Sequence, residues 1–480
     1  MKKSVLFFIS TIWILSSCSS NFIDLRPTST VTVDYYYQTD KDFADALIGV
    51  YASIRSQYNY FYCYGDLPAD DSYIEFRKAN YKTYFDLFTI NSAEGQMNST
   101  WQNYYQAIYR ANTILEKIEN LDVATIPNKN RYIGEARFNR ALCYFDLLRI
   151  FGPVPAVTKV LTVEEAYQIP REPIESLYNN IIIPDLQAAE SSLLASYSGS
   201  DVGKPTIGAA KALLGRIYMT MGDFQKAESK LMEVTSLGYQ LEADFNDVFD
   251  YDNKRNSEYI YNIEYIEGNT TNGSSFTNEF APASANFFTF FGLNGGGGES
   301  NNPTPVIMNL FEDHDLRKEL TVGIHGGFYD NDSVFNPILA TTNQTYTKKY
   351  LVPIPAGNAS KADWKYIRYA DVLLMLAEAM NENGKTEQAI PYLNMIRRRA
   401  GVSEYPTTMS KTETFDAIEL ERRLELSFEG HRWFDLIRWG KAYDVMKDYG
   451  MAEFMTVFPI PLRQIQLIND PAILPQNPGY

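Results

Sequence analysis

Residues Ala210–Val234 read AKALLGRIYMTMGDFQKAESKLMEV, and their spacing predicts two helices joined at Gly222-Asp223. Apolar side chains recur every three or four residues on both sides of that break, the period at which one face of a helix is buried, and Gly-Asp is turn chemistry. Within the pair, Leu214-Gly215, Tyr218, Ala227 and Leu231 hold a fixed phase. Leu376-Ala377, Met380, Ala389 and Leu393 repeat it around Asn383-Gly384-Lys385. Small residues at such positions let paired helices approach closely, so two stretches in one register predict stacked helical hairpins.

That phase is the one of a tetratricopeptide repeat. Working outward, Glu135 to Phe151 reads as a helix stopped by Gly152-Pro153, and Lys41–Ser56 and Thr100–Leu121 also read as helices. The stretch from Leu241 to Ala359 changes character. Asn, Gly, Thr and Pro punctuate it, and runs such as Tyr259-Ile260-Tyr261-Asn262-Ile263 suggest short strands. The expectation is an all-α, mainly tetratricopeptide-like fold with a helical frame at 35–240 and 360–450. An irregular insertion at 241–359 interrupts it, and an extended tail at 458–480 packs on the body. The Gly295–Gly298 run should be a mobile loop, since no Lys-Ser/Thr follows to make it a phosphate cradle.

The N-terminus carries Lys2 and Lys3, an apolar run from Val5 to Leu15, then Leu15-Ser16-Ser17-Cys18. This order is that of a signal peptide over residues 1–17, with an apolar run too short to span a bilayer. Leu15–Cys18 resembles a bacterial lipobox, which makes Cys18 the expected acylation site and lipid the expected membrane attachment. Cys63 and Cys143 remain, too few for a disulfide framework, so a core must supply stability. With 45% hydrophobic residues in 480, the chain can build one. The formal charge of −16 becomes −18 without Lys2 and Lys3, which opposes nucleic acid or anionic lipid as a partner.

Six blocks in order resemble the SusD/RagB family: Phe22–Pro27, Trp101–Asn112, Glu135–Pro155, Tyr369–Ala379, Glu421–Gly440, and Phe458–Pro461 with Gln476–Tyr480. The resemblance implies a lipid-anchored outer-membrane protein, exposed at the cell surface and without enzymatic activity. Such a protein lids a SusC-like TonB-dependent transporter and delivers it an oligosaccharide, or in some members a peptide. It also implies that the tetratricopeptide face meets the transporter and that the insertion helps form the ligand face.

Two stretches carry ligand-binding chemistry. Asp66–Asp86 combines Asp70, Asp71, Tyr73, Arg77, Tyr81 and Tyr84, and sugar recognition uses such a mixture, with C–H faces on flat rings and planar polar groups on hydroxyls. In the resembling family this stretch contributes to the glycan site, with an acidic residue where Asp71 stands. No Trp occurs in it, which leaves peptide as an alternative ligand. Beside the Gly run, Phe287, Phe288, Phe290 and Phe291 put four aromatics among polar neighbours, and Phe287, Phe288 and Phe291 join the expected binding set.

The dense charges from Arg422 to Arg438 could suggest paired carboxylates and a surface glycoside hydrolase. Their three- and four-residue spacings instead predict helix ion pairs. His431 stands alone among 3 His, so a catalytic zinc site is not expected. No cofactor is expected. Asp330-Asn331-Asp332-Ser333 has calcium-type oxygens but not an EF-hand's spacing, and reads as a turn. A tetratricopeptide scaffold that binds only protein is the remaining class.

Overall fold

A computed structural model describes residues 36–75, 81–323, 327–329, 335–337 and 345–480. The signal peptide, Cys18, Arg77 and Asp330–Ser333 lie outside the described residues.

The frame is a stack of helices. α1 (Asp40–Tyr58) follows the short Thr39/Asp42 capping box. Then come α2 (Tyr81–Asp86), α3 (Gly95–Ile118), α4 (Lys129–Phe151), α5 (Ile183–Ser192), α6 (Ile207–Met221) and α7 (Phe224–Thr235). After the insertion, which contains α8 (Ala285–Phe291), the stack resumes with α9 (Tyr369–Glu382), α10 (Thr386–Ala400), α11 (Lys411–Glu425) and α12 (Arg432–Arg438). α13 (Leu462–Ile468) lies in the tail. α1 packs on α3, α3 on α4, α4 on α5, α5 on α6, α6 on α7, and α7 on α9 across the insertion, so one apolar core runs through the stack.

The predicted hairpin is α6–α7. Gly222 ends α6 in the left-handed region at φ 75°, and Asp223 caps α7 by accepting from the Lys226 amide. Gly215 is small for a packing reason: a Cβ there would sit 2.5 Å from Leu231 Cδ2. The second hairpin, α9–α10, turns at Gly384 with φ 76°.

Among the described residues the strands form four two-stranded antiparallel pairs. β1 (Ser72–Tyr73) pairs with β5 (Asn302–Pro303), β2 (Val154–Pro155) with β3 (Arg171–Glu172), β4 (Tyr259–Ile263) with β8 (Trp364–Arg368), and β6 (Gly327–Tyr329) with β7 (Phe335–Pro337). β4–β8 closes the insertion against the frame, because β8 runs directly into α9.

The tail packs on the body, as Asn477 Nδ2 donates to the carbonyls of Phe151 (3.0 Å) and Phe458 (2.7 Å). It is not wholly extended: Pro461 begins the helical turns of α13. The Gly run also departs from expectation. Asn278 Nδ2 donates to the Asn294 and Gly296 carbonyls (2.9 and 3.0 Å), and the amides of Gly298, Glu299 and Ser300 donate to Asn278, Ala281 and Glu279. A Cβ on Gly297 would lie 2.4 Å from the Pro282 oxygen. Here glycine serves close backbone approach and not a mobile loop.

Candidate functional site

The short β1–β5 ladder brings the two sequence candidates together. It aligns Ser72 with Pro303 and Tyr73 with Asn302, and the Thr304 amide donates to the Asp71 carbonyl at 2.9 Å. The end of the Gly run thus becomes the neighbour of the Asp66–Asp86 stretch. The Tyr73 hydroxyl donates to Glu75 (2.9 Å) and meets Thr345 Oγ1 at 3.5 Å. Next along the chain, the Tyr346 ring stands edge-on to Phe287 with centroids 4.8 Å apart. One segment therefore touches both candidate groups.

Tyr73 opens onto a cleft of about 700 Å³ walled by Ser72, Asp86, Val306, Asp448 and Tyr449. Tyr449 is 52% exposed and Val306 42%. Two phenol rings and a carboxylate-rich wall can stack on C–H faces and accept from hydroxyls. They disfavour an anionic ligand. Tyr449 and Asp448 escaped the sequence reading; the available signal was an aromatic in the polar turn Lys447-Asp448-Tyr449-Gly450. Tyr81 and Tyr84 are half-buried beside this region: Tyr81 meets the Tyr60 ring at 6.1 Å, while Lys82 holds Glu279 of the insertion.

Two expected ligand contacts are structural instead. Asp71 is buried and accepts from Arg423 Nε at 2.7 Å. Its neighbour Asp70 accepts from Arg423 (2.6 Å) and Arg432 (2.9 Å), and the Arg432 hydrogen bond holds its carboxyl below the usual range against the cost of burial. Both carboxylates pin β1 to the α11–α12 segment. Phe287 is fully buried against Phe291 and Tyr346, because the amphipathic face of α8 turns it inward. Phe288 and Phe291 are half-buried and Phe290 is 49% exposed, so the outer face of α8 keeps aromatic surface.

The charged run is structural, but its partners are distant in sequence. Glu425 accepts from Arg368 (2.6 Å), Arg317 (3.4 Å) and Arg399; Glu429 holds Arg368 (2.7 Å) and Lys349 (2.8 Å); Glu421 holds Arg317 (2.8 Å) and Arg397. Glu258 of the insertion reaches Arg399 at 2.7 Å. Of the run's pairs, Asp435–Arg438 at 2.8 Å has the local spacing. Desolvation pushes buried Lys349 down to about 8, and it pushes Asp66 up to about 7. His431 lines a cavity of about 470 Å³ with Arg216, Arg422 and Arg438, and burial drives it down to about 4. Among the described residues, no three His, Cys, Asp or Glu side chains converge to hold a metal, and no helix is long and apolar enough to cross a membrane.

The SusD family model matches residues 241–480, and a SusD-like model described as starch-binding associating with outer membrane matches residues 21–219. A SusD-like protein of Formosa agariphila is 28% identical, covering 100% of both chains. Among solved structures, a laminarin-binding SusD-like protein superposes with a TM-score of 0.79 at 27% identity, covering 92% of this chain and 100% of that one. A SusD homolog from Bacteroides thetaiotaomicron has a TM-score of 0.82 at 23% identity, covering 93% and 98%, and shares the fold. The helical frame, the insertion returned by β4–β8 and these full-length similarities agree: the chain belongs to the SusD family.

Proposed function

We propose that this chain is a non-catalytic, cell-surface binding protein of the outer membrane. It captures a neutral oligosaccharide in the Tyr73–Tyr449 cleft and hands it to a SusC-like TonB-dependent transporter. Acylation at Cys18 holds it to the membrane, and no cofactor takes part. The observation that carries the glycan reading is similarity over 92% of the chain to a laminarin-binding protein. The cleft chemistry supports it: ring faces and acidic acceptors suit a neutral polyol, and its width leaves room for bridging water. Asp70, one of the cleft's two buried carboxylates, is held ionised by Arg432 and so makes a poor general acid, which favours capture over hydrolysis.

The test is calorimetric titration of the chain lacking residues 1–18 with oligosaccharides of starch and laminarin and with peptides, each mixture also assayed for cleavage. Saturable oligosaccharide binding without turnover, weakened about fivefold by Tyr449→Ala or Tyr73→Ala, is expected; loss of one stacked ring costs ~1 kcal/mol. Cleavage, or binding of peptides alone, would refute the proposal.

A further inference from the structure

The cavity of about 470 Å³ that His431 lines shares no residue with the Tyr73–Tyr449 cleft. It lies among α4, α6, α9, α12 and the tail. Leu148, Met219, Met375 and Ile437 give it an aliphatic wall, and Ile174, 38% exposed, stands where it meets solvent. Four arginines also line it. Arg149 holds Asp146, and Arg216 Nη2 donates to Asp371 (2.6 Å) and the Tyr366 carbonyl (2.8 Å). Arg422 donates to Asp371 (3.0 Å) and Asp435 (3.0 Å), and Arg438 to Asp435 (2.8 Å) and Glu378 (2.7 Å). Four cations meet four carboxylates, so the charges balance.

The hydrogen bonds do not. Among the described residues, Arg149 and Arg216 each bond through Nη2 alone, and the Tyr178 hydroxyl has no partner. Arg149 Nε is sealed inside the protein, whereas Arg149 Nη1, Arg216 Nε and Nη1 and the Tyr178 hydroxyl keep accessible surface. Tyr178 and Arg216 are only 6% and 7% exposed, and that remaining surface lies at the cavity they line. The Arg149 guanidinium is held in place over the rings of Phe145 and Phe434, 4.2 Å from each centroid. The nearby acceptors are taken, since both oxygens of Asp371 and both of Asp435 already accept from arginine. A ligand that completes this set brings acceptors and no donors, which describes a carboxylate. A phosphate dianion would meet no net positive charge there.

We infer that this cavity is a ligand site for a monocarboxylate with an aliphatic body. Its oxygens accept from Arg149, Arg216 and Tyr178, while Leu148, Met219 and Met375 cover its hydrocarbon part. The site stands independently of the carbohydrate reading. A free aliphatic acid and the C-terminal end of a peptide whose last residue is aliphatic present this same chemistry.

The experiment follows methionine methyl resonances of the chain lacking residues 1–18, none of which belongs to the described fold, during titration with hexanoate, N-acetyl-leucine and N-acetyl-leucinamide. Saturable shifts at Met219 and Met375 are expected with at least one of the two acids and not with the amide, and Tyr449→Ala should leave them unchanged. Hexanoate binding more tightly points to a free acid as the source, and N-acetyl-leucine binding more tightly to a peptide end. Affinity should fall at least tenfold in Arg149→Lys, which keeps the charge beside Asp146, and about fivefold in Tyr178→Phe, the loss of one hydrogen bond. The methyl spectrum itself reports that each variant is folded. Methyls that respond to neither acid, that respond equally to the amide, or that keep their affinity in both variants would overturn the site.

Discussion

Replacing Glu425 by Gln should destabilise the fold more than almost any isosteric change in the chain. The carboxylate is fully buried at the end of α11 and accepts from Arg368, Arg399 and Arg317, which come from β8, α10 and the insertion. Around it, cations Arg317, Arg368, Arg397, Arg399 and Lys349 balance buried Asp315, Glu258, Glu421, Glu425 and Glu429. Glutamine keeps the volume, removes one negative charge and turns an NH₂ toward guanidinium donors, leaving an uncompensated buried cation. Breaking a buried pair in this way costs about 3–5 kcal/mol, a large share of the ~5–15 kcal/mol that holds a domain together. The assay is urea unfolding with Glu425→Gln, Arg399→Met and the double variant. The double variant should fall short of the sum of the singles by ~0.5–3 kcal/mol, because Arg399→Met removes the excess charge that Glu425→Gln creates. Lys41→Ala, which removes an exposed pair with Asp45, should leave the midpoint in place. A Glu425→Gln midpoint shift worth under ~1 kcal/mol, or strict additivity, would refute the view that this network couples insertion to frame.

Gly65→Ala should cost about 1–3 kcal/mol in the same assay, because its Cβ would fall 2.5 Å from backbone atoms of Gly430; an unchanged midpoint would remove that contact from the account. For His431 the sign runs through its neutral form. The folded state resists protonation until about 4 while the unfolded chain takes a proton below 6.5, so stability should be full above pH 6.5 and decline as pH falls toward 4. His431→Asn should flatten that slope, and an unchanged slope would rule His431 out as its source. Cys63 and Cys143 are buried, with burial pushing both thiols up, so the folded chain lacking residues 1–18 should resist thiol reagents at neutral pH and react at both positions once unfolded.

What the sequence made legible follows from the range of the interactions involved. The α6–α7 and α9–α10 hairpins declared themselves because their determinants are local: Gly215 against Leu231, Gly222 at a left-handed turn, Asp223 capping the next helix. The family was legible for the same reason, since its blocks are mostly helices and their stops. The charged run misled because spacing reveals only neighbours on one helix, whereas Arg423 finds Asp70 and Asp71 more than 350 residues away. Asp71 consequently looked like a ligand contact when it is a tether. The Gly295–Gly298 run was ambiguous in principle: the missing side chain that permits flexibility also permits Gly297 to pack on Pro282, and nothing local chooses between them. Tyr449 lay beyond the block that drew the reading, and only the folding of its turn against β1 and Thr304–Val306 brings it to the cleft. The proposed binding surface is therefore assembled from segments that carry no signature alone, on a frame whose own signatures are strong.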